Sequence, residues 1–248
     1  MRLTVSWCRC PSARSEVMRA ALVLAALLWP GMVAAEAVVT ARYADPTERY
    51  GHRVLGMGGE WGALVLGLAD GETRRITLPL HLVFEDIAPR LADLDGDGAV
   101  EVIVVESSLT KGARLAVYGP EGRIAATPHI GTRNRWLAPV GAADLDGDGE
   151  VEIAYIDRPH LAQVLRIWRF RDGALGHVAD VPGLTNHKIG WDVIPGGIRA
   201  CGETPEIITA ARGWQHVVAT RYRDGEAVSV VIGDYSGPET LDAALACR

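Results

Sequence analysis

Asp93-Leu94-Asp95-Gly96-Asp97-Gly98-Ala99-Val100-Glu101 recurs as Asp144-Leu145-Asp146-Gly147-Asp148-Gly149-Glu150-Val151-Glu152, at an offset of 51 residues. Each copy runs into an apolar stretch, Val102-Ile103-Val104-Val105 in one case and Ile153-Ala154-Tyr155-Ile156 in the other. The repetition extends outward from these loops. Gly62 to Pro89 aligns with Gly112 to Pro139 without a gap at an offset of 50, and Leu165-Arg166-Ile167-Trp168 with Asp172-Gly173 is echoed by Val217-Val218-Ala219-Thr220 with Asp224-Gly225. A period of about 50 residues marks a repeat architecture. Four units, approximately 36–90, 91–141, 142–195 and 196–248, account for the chain after its first 35 residues.

Within a unit the apolar runs are short and rich in β-branched residues, as in Val102–Val105, Arg114–Tyr118 and Arg123–Thr127, and each ends at Gly, Pro or Asp. Such runs read as strands. Gly119-Pro120-Glu121-Gly122 and Arg171-Asp172-Gly173 fall between two of them as hairpin turns. After residue 36 a helical period is visible only in the tail, Glu239 to Leu245. The fold class expected is therefore all-β, a β-propeller-like array of about four repeats, either a small propeller or an incomplete one.

The acidic loops carry the chemistry. Alternate carboxylates in a tight glycine turn converge on one point, and hard oxygen donors in that number suit Ca2+. Asp93, Asp95, Asp97 and Glu101 supply the side chains of one site, and Asp144, Asp146, Asp148 and Glu152 those of the other. The backbone carbonyls of Ala99 and Glu150 stand at the seventh position, and Gly98 and Gly149 permit the turn. An EF-hand is excluded because its twelfth position, which demands a bidentate Glu, is Val104 in one loop and Tyr155 in the other, and strands follow instead of helices.

On these residues the chain resembles the FG-GAP or VCBS repeat family. The resemblance implies integrin-like propeller blades with D-x-D-x-D-G-x-x-[DE] calcium loops between strands. The equivalent stretch of the last unit, Ile198 to Glu206, has no aspartate ladder, and the first unit offers only Asp45 and Glu48, so two calcium ions are expected. Propellers of this kind have about seven blades, within the usual range of such rings. Four units leave a four-bladed ring, an open arc and a dimer as the possible closures.

Composition bounds the function. With 48% hydrophobic and 23% charged residues the 248-residue chain is globular, and a net charge of -6 argues against a nucleic-acid partner. The apolar run Ala20 to Trp29 behind Arg19, with Val33-Ala34-Ala35 before Glu36, reads as a secretory signal, with Met18 an alternative start. Export to the periplasm or medium is expected, without a transmembrane anchor, since the run is too short to span a bilayer. Cys8 and Cys10 leave with the signal, and Cys201 and Cys247 are expected to form a disulfide.

No H-E-x-x-H, G-x-S-x-G or P-loop pattern occurs, and His129, His160 and His187 lack ligand spacing and read as structural. The tryptophans of Asn134-Arg135-Trp136 and Gly190-Trp191-Asp192 read as packing residues. No catalytic or cofactor-binding residue is assigned. The function expected is a non-catalytic binding or adhesion propeller held by Ca2+, with a protein or glycan ligand and self-association if the array is open. An enzyme with a pocket on the propeller scaffold and a purely structural calcium module are the alternatives.

Overall fold

The computed structural model describes residues 37–56 and 58–248; the leader expected in residues 1–35 lies outside them. The chain begins with three strands, β1 (Val38–Pro46), β2 (Glu60–Leu68) and β3 (Thr73–Thr77), with β2 pairing to both others. β4 (Leu82–Glu85) and β5 (Arg90–Ala92) both pair with β6 (Glu101–Ser108), which continues through β7 (Gly112–Gly119) to β8 (Gly122–Ala126). A short pairing of β4 with the start of β2 joins these into one eight-stranded sheet. β9 (Leu137–Ala143), β10 (Val151–Asp157), β11 (Val164–Arg171) and β12 (Ala174–Pro182) form a four-stranded meander. In the last sheet β13 (Leu184–Thr185) and β14 (Gly197–Arg199) pair with β15 (Glu206–Ala211), followed by β16 (His216–Arg223) and β17 (Glu226–Asp234). The helix expected in the tail is α1 (Pro238–Leu245).

Both aspartate loops connect antiparallel neighbours: the first joins β5 to β6 and the second joins β9 to β10. The hairpins at Asp172-Gly173 and Asp224-Gly225 hold both residues at positive φ, 50° and 70° in the first and 53° and 80° in the second. This is the two-residue turn whose twist matches the flanking strands.

Side-chain alternation then decides how the sheets stack. On β6 and β7, Val102, Val104, Ala116 and Tyr118 face β2, where Leu64, Leu66 and Leu68 meet them with Phe84 and Tyr43. Their neighbours Ile103, Val105, Leu115 and Val117 point the opposite way, into the largest cluster, shared with β10, β11, β15 and β16. β10 and β11 contribute residues of both parities to that cluster, Ile153 and Tyr155 as well as Ala154, Ile156, Leu165 and Ile167. β10 is thus buried on both faces, which explains its unbroken apolar run Ile153–Ile156. On β15 and β16, Ile207 and Val218 face this core, whereas Ile208, Val217 and Ala219 face away and are covered by Leu241 and Ala244 of α1.

The helix consequently stands where a further blade would pack. At the other end, β1 to β3 turn a polar face outward, with Arg42, Val65 and Arg75 in register across the three strands and Thr40 and Thr77 exposed beside them. A stack of repeats ends stably when its terminal faces are polar or capped. Of the three closures open at the sequence level, the described residues adopt the incomplete, open array. The β1–β2 connection crosses several units. Asn134 N–H donates to the Tyr50 hydroxyl (2.8 Å), Arg133 donates to the Tyr50 carbonyl (2.6 Å), and Gly190 N–H donates to the Val54 carbonyl (3.1 Å).

An eight-residue helix is marginal by itself, and α1 is held by burial of Leu241, by Arg199 donating to the Ala244 carbonyl (2.9 Å), and by the Cys201–Cys247 disulfide just beyond its end. No helix among the described residues is long and apolar enough to cross a membrane. Replacing both Cys201 and Cys247 by Ser is expected to cost about 2–4 kcal/mol and to lower the melting temperature by several degrees. Amide exchange should then show α1, Ile208 and Val217 losing protection before β10.

Candidate metal centre

Each acidic loop is built by its own backbone. In the first, the Asp93 carboxylate accepts the N–H groups of Gly96 (2.7 Å) and Gly98 (3.0 Å). In the second, Asp144 accepts those of Gly147 (2.7 Å) and Gly149 (2.9 Å). Gly96 and Gly98 sit at φ 75° and 88° and Gly147 and Gly149 at 80° and 90°, a region costly for other residues. Glu101 and Glu152 reach back from β6 and β10 and accept the N–H of Leu94 (2.8 Å) and Leu145 (3.0 Å). Leu94 and Leu145 are buried beneath the loops and anchor them to the core.

The result is a convergence of carboxylate oxygens in each loop. Ligand atoms of Asp93, Asp95 and Glu101 lie within 4.8 Å of one another, as do those of Asp144, Asp146 and Glu152. Asp97 and Asp148 stand outside these groups, where each accepts the N–H two residues on, from Ala99 (2.7 Å) and Glu150 (2.9 Å). The structure thus brings together three of the four expected side chains per loop and uses Ala99 and Glu150 as donors to the fourth.

Electrostatics separate the two loops. Burial pushes the Glu101 carboxyl up, the Leu94 N–H pulls it down, and Asp95, Asp97 and Asp93 push it up again. Burial likewise raises Glu152, against the Leu145 N–H and Arg169. Asp148 is lowered, chiefly by the Glu150 N–H and further by Arg169. Arg169 of β11 contacts Glu152 (2.5 Å), Asp148 (2.7 Å) and Asp146 (3.0 Å). No arginine or lysine among the described residues pairs with a carboxylate of the first loop. The donor set of hard oxygens fits a divalent cation such as Ca2+, and Asp146 Oδ1 is shielded from solvent without a hydrogen-bond partner. An orphaned buried acceptor of that kind is costly unless a ligand completes it.

The remaining expectations fall into place around these loops. Asp45 pairs with Arg75 and Glu48 with Arg53, so the first unit's acids form surface pairs. Trp136 is buried and donates to the Glu85 carbonyl (2.9 Å). Trp191, with Trp214 and Tyr235, surrounds the Lys188 ammonium at 5.1, 4.7 and 5.7 Å from the ring centres. His187 Nε2 donates to the Trp191 carbonyl (3.0 Å), which leaves its Nδ1 to accept from His160 Nε2 at 3.1 Å. His129 Nδ1 donates to the Gly112 carbonyl (2.7 Å).

Sequence reasoning missed a second family of acids. Glu106 is buried against Arg114 (2.5 Å), Arg123 (3.3 Å) and the Tyr118 hydroxyl. Asp157 meets Arg158 (2.7 Å) and Arg166 (2.9 Å), and Glu206 meets Arg199 and Arg221 (both 2.6 Å). The signal was present: Glu106 and Asp157 keep the same offset as the two loops. Glu85, also buried, accepts from Ser107 and contacts His52 (2.6 Å). Among the described residues no hydroxyl or thiol is hydrogen-bonded to a histidine, the pairing that activates a nucleophile. A groove of about 480 Å³ lies between residues 128–131 and the β9–β12 sheet, lined by His129, Tyr155, Arg158, Arg166, Trp168 and His177.

Fold and loops together define an all-β repeat protein whose strands are joined by acidic, glycine-rich turns. Residues 84–155 match the family model described as the FG-GAP-like repeat. The match spans β5, the first loop, β6 to β9, the second loop and β10. It supports a β-propeller-type module of the binding or adhesion kind. No curated protein matches the chain.

Burial holds His160 down to about 4, with His187 acting in the same direction, and burial lowers His187 too. A depressed histidine stays neutral in the fold and binds its proton more readily when unfolded. Its contribution is therefore complete above the ordinary value near 6.5 and is lost as pH falls toward 4. The melting temperature is expected to drop between pH 7 and pH 5, and His160→Asn should flatten that drop in differential scanning fluorimetry.

Proposed function

We propose that the protein is an exported, non-catalytic binding module whose acidic loops take Ca2+ to hold neighbouring strands in place. The observation that carries this reading is the duplicated convergence of three carboxylates on backbone-built loops. Asp93, Asp95 and Glu101, with Asp97 and the Ala99 carbonyl as further donors, would hold one ion. Asp144, Asp146 and Glu152, with Asp148 and the Glu150 carbonyl, would hold the other. Calcium would supply charge neutralisation across the β5–β6 and β9–β10 junctions, and each carboxylate would keep its loop N–H bonds while turning a second lone pair to the ion.

Ligand recognition would fall to surfaces away from the loops. The groove beside Trp168 offers an aromatic face with arginine and histidine donors, a combination suited to a glycan or polar peptide. Edge strand β17 exposes Val228, Val230, Val231 and Ile232, an apolar row suited to a protein partner or a second copy. Export rests on the leader-like residues 20–35, and the mass of the native protein checks it: a chain beginning near Glu36 supports export, and an intact residue 18–35 segment refutes it.

Thermal unfolding with calcium and with chelator tests the metal reading. A ligand at about 100 times its Kd stabilises the native state by about 2.7 kcal/mol per site, which corresponds to roughly 5–10 °C for a domain of this size. Asp95→Asn and Asp146→Asn should each reduce the calcium-dependent rise, and the double variant should melt alike in calcium and chelator. Identical melting of the unaltered protein at millimolar calcium and in chelator would show that the loops are acidic turns only.

A further inference from the structure

We propose that Arg169 is a built-in counter-ion of the second loop, so that the two loops are unequal: loop 93–101 takes calcium freely, whereas loop 144–152 takes it only by displacing the guanidinium. This inference rests on the calcium reading above and concerns how that reading is divided between the loops.

The antiparallel register places Arg169 of β11 directly opposite Glu152 of β10. From there its side chain, only 20% exposed, crosses the open side of the loop. Its Nε donates to Glu152 Oε1 at 2.5 Å, one terminal nitrogen reaches Asp146 Oδ2 at 3.0 Å, and the other reaches Asp148 Oδ2 at 2.7 Å. A planar guanidinium with five donors in a fixed fork can satisfy three carboxylates at once, which a lysine could not do in the same geometry. Two of those carboxylates, Asp146 and Glu152, belong to the converging group of the loop. A calcium ion needs six to eight oxygens, and three of the six carboxylate oxygens of Asp146, Asp148 and Glu152 are engaged in charge-assisted bonds to Arg169 that must break before they can join it. Arg171 pairs with Glu150 at 3.3 Å on the same strand and adds a further positive charge at the rim.

Among the described residues the first loop has no such device. Val102 pairs with Tyr118, so the residue of β7 opposite Glu101, one step along the register, is Gly119. With no side chain there, the four acids Asp93, Asp95, Asp97 and Glu101 keep their charge uncompensated by any described cation, and a metal ion meets no competitor among the described residues. The loops are thus alike in sequence and different in what faces them across the hairpin.

Calorimetric titration of the full chain with calcium chloride, read beside the melting temperature, tests the division. The unaltered protein should show one tight step and a second at least tenfold weaker. Asp95→Asn should abolish the tight step and Asp146→Asn should spare it. Arg169→Gln should strengthen the weak step at least tenfold and leave the tight one unchanged. Should that variant fail to fold, Gly119→Arg supplies the reverse test: it places a guanidinium opposite Glu101, the nearest obstacle to its Cβ is the tip of Ile124 at 3.1 Å, and it should weaken the tight step at least tenfold. Two equal steps indifferent to Arg169→Gln, a tight step lost in Asp146→Asn, or no effect of Gly119→Arg each overturn the inference while leaving calcium binding intact. Absence of any step and of any melting shift overturns the calcium reading, and this inference falls with it.

Discussion

A sheet whose strands carry apolar side chains on both faces leaves one face in water unless a neighbour stands on each side. Strand β10 is the clearest case, since Ile153 and Tyr155 point one way and Ala154 and Ile156 the other, all into the same core. Every other packing feature follows from satisfying that demand along the array. The β6–β8 part of the eight-stranded sheet turns one face to β2 and the other to the main core, and the β13–β17 sheet is covered by the core and by α1. Growth stops where a face no longer requires cover: at Arg42, Arg75 and the threonines of the first unit, and at the helix clipped by Cys201–Cys247.

Charge inside this stack is handled by short-range pairing. Glu106, Asp157 and Glu206 are buried carboxylates, each facing at least two arginines on neighbouring strands or turns. Breaking such a pair by removing one partner strands a charge in low dielectric, so these clusters resist single substitutions more than they add to stability. They also tie strands of one sheet together at their edges, where backbone ladders alone leave the outer strands loose.

The acidic loops invert that arrangement in one place and repeat it in another. Around Asp93 the acids are concentrated and no described arginine or lysine pairs with them. Around Asp144 the same acids face Arg169, and only Asp146 Oδ1 is left without a partner. Both loops rest on a buried leucine whose N–H is held by a glutamate reaching back from the start of β6 or β10.

The sequence by itself determined the repeat period, the strand character of each unit, the hairpin turns at Asp172-Gly173 and Asp224-Gly225, the terminal helix, the cysteine pairing and the two acidic loops. All of these are local: propensity, turn chemistry and spacing act over a few residues, and the period multiplies the signal. Only the tertiary structure decided that the array stays open, because that depends on which faces of distant strands are covered, and α1 could not be assigned a seat from its own pattern. The same holds for the difference between the loops. Arg169 lies 17 positions after Glu152 and Gly119 lies 18 after Glu101, a one-residue difference of register across a hairpin that linear spacing does not reveal. Proximity across strands is a property of pairing, and pairing is settled by the fold as a whole.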